Sequence, residues 1–363
     1  MMRRLQFALI LLVLLSVTAS AVALRWSWNQ LNTPFKSYAH VERIVVIEAG
    51  MSGEKILRKL ASEGVIPDTR LSHLYLRYVL SDQSLKAGEY RFQGPLTPLE
   101  VLDKILAGRV LTRNVTILEG LTLEETAERL AEEGFGTVDA FLAAMRSPSL
   151  IADLDAEAET LEGYLFPDTY AFASGTTESA LVEALVANAR KKIRRVTAGS
   201  RRDSERQFSL RRIVTLASIV EKEALIDHER PVIAGVYANR LEKGIGLYAD
   251  PTVIYALKRL GTWDGNLRRP DLQIDSPYNT YRYSGLPPGP ICSPGLASLE
   301  AAARPADVPY LYFVSRNDGT HVFAKTLAEH NHNVHLWQKK YWQDRWSRER
   351  KVEDSTDSPR PLR

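Results

Sequence analysis

Arg212-Ile213-Val214-Thr215-Leu216-Ala217-Ser218-Ile219-Val220-Glu221-Lys222-Glu223-Ala224-Leu225 repeats its apolar residues at helical spacing and holds neither Gly nor Pro, so it reads as one well-formed helix. Val214, Ala217 and Ser218 precede Glu221 by seven, four and three positions, which puts the acid on their apolar face. A carboxyl partly stripped of water on such a face favours its neutral form and can release a proton near neutrality, the profile of a general acid. Glu223 is turned roughly 200° away, and Lys222 points elsewhere again. A plainer reading of the same residues makes Glu221 the polar C-terminal turn of a core helix.

The chain has 363 residues, 45% of them hydrophobic, enough for more than one core. Its formal charge is +3, from 47 basic and 44 acidic residues, and no basic stripe with interleaved aromatics runs through its body, so nucleic acid is not expected as a partner. The single cysteine, Cys292, excludes an internal disulfide framework and a cysteine metal cage, and reads as a small buried residue. Among His330, His332 and His335 only the last two form a helix-compatible pair, with no acidic third ligand beside them, so no metal is expected. Lys222 and Lys325 lack the phosphate-cradling Gly-rich turn that a pyridoxal cofactor requires, and no cofactor is expected.

Arg3 and Arg4 precede Leu5 to Leu24, an uncharged run that spans roughly the 30 Å hydrocarbon core of a bilayer as a helix. Arg25 closes it. Positive charge on the short flank keeps that end in the cytoplasm and exports the body, so the expectation is a retained inner-membrane anchor. Ala19-Ser20-Ala21 offers a cleavable signal as the competing reading.

Beyond a linker over 25–41, the chain echoes itself. Gly50, Glu54, Leu60 and Gly64 recur 70 positions later as Gly120, Glu124, Leu130 and Gly134. Each copy reads as a short strand, a Gly turn and an amphipathic helix stopped by Gly. Thr122 and Glu125 have capping-box spacing, whereas Ser52 with Lys55 gives half a box. Between the copies lie a helical pattern near Thr69 to Leu80, a strand at Gly88 to Phe92 and a helix opened by Pro98. The expected organisation is α+β: two small modules over 42–110 and 111–154, a mixed α/β catalytic domain over 155–345 and a polar, disordered tail over 346–363. The small modules have no catalytic spacing and are assigned positioning or glycan binding.

Leu161 to Tyr170 crowds Glu162, Asp168 and the rings of Tyr164, Phe166 and Tyr170 into ten positions, either a rigid corner or a site wall. A helix follows over Glu178 to Arg195, then a polar connector, Thr197 to Gln207. Val232 to Lys243 reads as a helix carrying Asn239 and Arg240; Asp250-Pro251-Thr252 reads as a helix start with Asp250 as N-cap. The pattern-poor stretch from Leu267 to Gly295 contains Ser276, Tyr278, Asn279 and Tyr281, whose rings and amides suit sugar faces and hydroxyls. Leu336 to Arg350 reads as a terminal helix.

These motifs together resemble the endolytic murein transglycosylase (YceG-like) family over nearly the whole chain. The resemblance rests on Leu161 to Tyr170, Leu216 to Glu223, Asp250 to Tyr255, Asp275 to Tyr281, Gly285 to Ile291, Tyr312-Phe313-Val314, Gly319 to Phe323 and His330-Asn331. It implies a LysM-like region before the catalytic domain, and it implies Glu221, the first acid of Val-Glu-Lys-Glu, as the catalytic residue. Tyr248 stands where the family more usually has Gln. The implied reaction cleaves the β-1,4 bond between N-acetylmuramic acid and N-acetylglucosamine inside peptidoglycan strands. The muramic C6 hydroxyl attacks C1 and leaves a 1,6-anhydro end, so the second carboxylate of an ordinary glycosidase is not needed. Glu162, Tyr164, Asp168, Asn239, Arg240, Asp250, Thr252, Ser276, Tyr278, Asn279 and Tyr281 are the expected substrate contacts. The implied partners are peptidoglycan strands, the membrane and the synthases of the elongation machinery. A non-catalytic peptidoglycan-binding scaffold is the rival class, and the discriminator is whether Glu221 lies in an aromatic cleft or faces solvent.

Overall fold

A computed structural model describes residues 2–35, 42–67, 69–80, 83–200, 209–341 and 343; residues 201–207 of the expected connector, 342 and 344–350 of the expected terminal helix, and the tail over 346–363 lie outside them. The chain is helix-rich α+β with small antiparallel sheets, and it divides into two compact units, Met1–Asn114 with Ala171–Gly175, and Val115–Tyr170 with Thr176–Arg363.

The first unit opens with α1 (Met2–Asn32), which extends past the expected span. Its stretch Gln6–Asn32 is long and apolar enough to cross a membrane, a test that a signal sequence also passes. Strand β1 (Arg43–Ile47), α2 (Gly53–Ser62), α3 (Thr69–Tyr78), β2 (Gly88–Phe92) and α4 (Pro98–Leu106) follow. β1 pairs antiparallel with β2, Arg43 opposite Phe92 and Ile47 opposite Gly88. Alternation turns Val45 and Ile47 inward and leaves Ile44 and Val46 half exposed. The inward residues pack on Ile56, Leu57 and Leu60 of α2 and Val101, Leu102 and Ile105 of α4, each worth about 1.5–3 kcal/mol of burial. Tyr90 is buried among them because its hydroxyl donates to the Lys86 and Ile105 carbonyls, 2.9 and 3.3 Å away.

The chain passes between units within β3 (Thr112–Thr116) and β4 (Thr169–Ala173), which form a second two-stranded sheet. The second unit continues with α5 (Leu123–Glu132), α6 (Val138–Met145), α7 (Glu178–Ser200), α8 (Leu210–Glu223), α9 (Arg230–Glu242), α10 (Asp250–Arg259) and α11 (Leu296–Ala303). The hairpin β5 (Tyr312–Ser315) and β6 (His321–Ala324) and α12 (Leu327–Val334) complete it. The 70-residue echo survives folding. α5 starts and stops 70 positions after α2, and the two turns share a left-handed glycine, Gly50 at φ +80° and Gly120 at φ +78°. Thr122 and Glu125 close the full capping box; Ser52 accepts from the Lys55 N–H alone.

α8 is the second unit's axis. Every residue from Ile213 to Val220 is buried, and the helix packs on α9, α10 and α11. Ser218 is satisfied inside this core, donating to the Thr215 carbonyl at 2.7 Å and accepting the Ile291 N–H at 3.0 Å, which holds the Pro-rich stretch along the helix. Cys292 is buried beside it, and burial pushes its thiol well up, so it is no nucleophile. α9 approaches the next segment closely at Gly235, where a Cβ would stand 2.4 Å from the Ala306 carbonyl oxygen. The hairpin is tied to the start of α9: His321 donates its N–H to Glu229 Oε1 at 3.0 Å and holds Nδ1 2.7 Å from Oε2.

Besides α1, three boundaries depart from expectation: α7 continues to Ser200, past the expected end at Arg195 and into the stretch read as a connector. Ala249, not Asp250, is the N-cap of α10, because the Asp250 carboxylate is engaged by a tyrosine instead of a helix N–H. The terminal helix begins earlier, at Leu327, and passes into a π-turn over His335–Lys340. The reason lies upstream: Thr326 and Glu329 form a full capping box, and that box starts the helix.

Candidate active site

The C-terminal turn of α8 delivers two acids to different surroundings. Glu221 has a side chain 6% exposed, with Arg230 Nη1 donating to Oε1 at 3.0 Å and the Gly295 N–H to Oε2 at 2.9 Å. Arg230 donates further to Ser298 Oγ at 2.7 Å and Asp227 Oδ1 at 3.1 Å. Both oxygens of Glu221 are therefore occupied, and no aromatic ring borders it among these contacts. Glu119, from the second Gly turn, approaches the same place: a Cβ on Gly295 would lie 2.1 Å from its Oε1. Burial and then the charge of Glu221 push the Glu119 carboxyl upward, while Arg230 pulls it down.

Glu223 lies among rings. The Tyr237 hydroxyl donates to its Oε1 at 2.9 Å, and burial pushes its carboxyl up to about 7, Asp250 adding to the rise while Tyr237 and Arg240 oppose it. Arg240 is fixed by the Leu311 and Leu247 carbonyls at 2.6 and 2.5 Å, and its guanidinium stands 6.0 Å from the Tyr248 ring and 5.4 Å from that of Tyr312. Tyr281 donates to Asp250 Oδ1 at 2.6 Å and packs its ring 5.5 Å from Tyr248. A carboxyl near 7 in such a setting can give a proton and take one back at neutral pH.

The residues singled out from sequence divide among several places. Arg240, Asp250 and Tyr281 gather with Glu223. Glu162, Tyr164 and Tyr278 instead line a cavity of about 310 Å³ together with Tyr255, Arg211 and Arg259, in which neither acid of Val-Glu-Lys-Glu takes part. Glu162 is buried there. Its Oε2 accepts from the Leu123 N–H and the Tyr255 hydroxyl, both at 3.2 Å, its Oε1 has no partner, and burial pushes its carboxyl up to about 8. Tyr164 donates to Asp155 at 2.8 Å. Ser276 Oγ accepts the Tyr278 N–H at 3.3 Å.

Others serve the backbone. Asn239 donates to the carbonyls of Val308 and Tyr310 at 2.6 and 3.0 Å; Asn279 donates to those of Leu272 and Ile274 and accepts from the Tyr281 N–H. Thr252 is buried, donating to the Ala249 carbonyl and paired with Thr280 at 2.9 Å. Asp168 is exposed, holding the Thr169 N–H and Asn188 at 2.8 and 3.0 Å.

Glu223 and Glu119 are not among the residues that the sequence singles out, and the structure brings both carboxyls to the end of α8, where burial pushes each of them upward. The signal for the first was present: a helix apolar at nearly every position from Ile213 to Val220 is covered on all sides, so an acid on either face meets protein.

The profile of the YceG-like family matches residues 45–336. The chain is 32% identical over 301 residues to the endolytic murein transglycosylase of Bacillus subtilis (strain 168), covering 78% of this chain and 82% of that protein. It is 29% identical over 320 residues to the protein of the same name in Streptococcus pneumoniae (strain D39), covering 80% of this chain and 57% of that one. A crystal structure of a YceG-like protein from Listeria monocytogenes superposes with a TM-score of 0.52 at 34% identity, over 80% of this chain and 98% of that chain. With 292 consecutive residues inside the family profile, running from β1 through the hairpin to α12, the chain belongs to the YceG-like family.

Proposed function

We propose that this protein is a membrane-anchored endolytic lytic transglycosylase, exported on α1, that cuts the β-1,4 bond between N-acetylmuramic acid and N-acetylglucosamine within nascent peptidoglycan strands and so ends their elongation. The observation that carries this reading is the Glu223 carboxyl, hydrogen-bonded by the Tyr237 hydroxyl, with Asp250 and Arg240 as its charged neighbours, and pushed up to about 7 by burial. In the first half of the reaction Glu223 protonates the departing glycosidic oxygen. In the second, as carboxylate, it takes the proton of the muramic C6 hydroxyl as that oxygen closes on C1. One carboxylate serves both steps, and no water is consumed. Tyr237 holds the reacting carboxyl in place. Glu221, the sequence's choice for this role, is assigned to bracing Arg230 and the Gly295 turn. The peptidoglycan synthases of the elongation machinery are proposed as neighbours at the membrane.

The test is digestion of purified peptidoglycan by the full chain in detergent, with products read by mass spectrometry. Anhydro-ended fragments are expected from the parent and about a hundredfold fewer or none from Glu223→Gln. Glu221→Gln is expected to keep the chemistry. Loss with Glu221→Gln and retention with Glu223→Gln, both variants folded, would return the acid's role to Glu221. Reducing ends would make the enzyme a two-carboxylate hydrolase, and no products from a folded, strand-binding parent would make it a scaffold.

A further inference from the structure

We propose that Tyr248 is a stacking platform for one N-acetylhexosamine ring of the bound strand, forming a saccharide subsite beside Glu223. This rests on the reading of the preceding section. Tyr248 has φ +48°; Asn317 is the other non-glycine residue with a left-handed backbone among the described residues. Asn tolerates that region because its short side chain hydrogen-bonds locally, whereas a bulky tyrosine there is strained. Core burial does not offset the strain, because Tyr248 remains 49% exposed.

The half-exposed ring is nonetheless fixed in place. Tyr281 packs against it at 5.5 Å with the planes tilted by 58°, and Arg240 stands 6.0 Å from its centre. Both neighbours are themselves held, Tyr281 by Asp250 and Arg240 by two carbonyls. Gly246 supplies the floor: a Cβ there would lie 2.9 and 3.0 Å from ring carbons of Tyr248, so the ring sits where it does because residue 246 has no side chain. An immobilised ring with half its surface open gives the C–H face of a pyranose a dry contact at little cost in side-chain entropy. Asp250, exposed at its edge, offers a carboxylate to sugar hydroxyls.

Three variants separate ring, hydroxyl and backbone. Tyr248→Phe keeps the ring, Tyr248→Asn tolerates the left-handed backbone but removes the ring, and Gly246→Ala displaces the ring without altering it. Binding of peptide-free glycan strands is measured on the full chain in detergent micelles carrying Glu223→Gln, and KM and kcat for the same strands on the chain without it; thermal melts confirm folding. The expected result is a Kd and KM within about twofold of the parent for Tyr248→Phe and raised about five- to tenfold for Tyr248→Asn and Gly246→Ala, with kcat little changed. A Tyr248→Asn variant that binds like the parent overturns the platform and leaves the transglycosylase reading intact. Equal losses in the Phe and Asn variants also overturn it, because the hydroxyl would then be the contact. A parent that neither binds nor cuts the strands overturns both.

Discussion

Glu162 shows how far a buried carboxyl moves when its partners are few. Its carboxyl is pushed from the usual range up to about 8, mainly by burial. The folded state therefore prefers the protonated form; this preference is fully present below the unfolded value near 4.5 and is lost as pH rises through about 8. The parent is expected to lose thermal stability progressively across that window, and Glu162→Gln to lose this part of the slope. Melting curves at half-unit steps from pH 4.5 to 9 check it, and parallel profiles would refute it. The same sign logic applies to Glu223: with its carboxyl near 7, cleavage that needs its proton is expected to fall as pH rises through about 7, read from initial rates across pH 5–9. At this scale the sequence was partly legible. The face of α8 that carries Glu221 could be counted from the chain, but the donor set of Arg230 and Gly295 joins residues 9 and 74 positions away, and nothing local announces it. Asn239 and Asn279 are both expected substrate contacts, and in the fold their amides hold carbonyls of irregular backbone, partners that no local pattern announces.

Elements with local start and stop signals were readable. α2 and α5 are flanked by caps and glycine stops, β2 alternates Tyr90 and Phe92 after an opening glycine, and the Gly88 to Phe92 strand matched end to end. The β5–β6 hairpin did not announce itself. Its strands are four residues each, and they are held by the Glu229 carboxylate at the start of α9, a partner 92 positions distant from His321. The start of α10 was misread at Asp250 because N-cap statistics could not include the Tyr281 hydroxyl. The α9 contact at Gly235 makes a prediction in which two effects oppose. Ala is about 1 kcal/mol better than Gly in a helix interior, but a Cβ 2.4 Å from the Ala306 oxygen forces overpacking of about 1–3 kcal/mol. Gly235→Ala is therefore expected to lower the urea midpoint by a net destabilisation of up to about 2 kcal/mol, and a raised midpoint would show that the segment yields.

For the whole molecule, α1 is the one helix among the described residues that is long and apolar enough to cross a membrane. The full chain is expected to stay with the membrane fraction through alkaline carbonate extraction, and a chain lacking residues 2–32 to be soluble; intact mass of the extracted protein distinguishes a retained anchor from a cleaved leader. The two 70-residue echoes have also met different fates. A side chain added at Gly50 would meet open space, whereas at Gly120 it would meet Glu221 and Lys222 at 3.6 and 3.5 Å. Lys222 donates to the Gly120 carbonyl at 3.1 Å, and Gly120 and Leu121 exchange backbone bonds with Ser293. One copy of the duplicated turn is thus constrained by its own backbone alone, with no neighbour pressed against its glycine. Its twin has been conscripted as masonry around the end of α8, where an insertion would press first on Val-Glu-Lys-Glu.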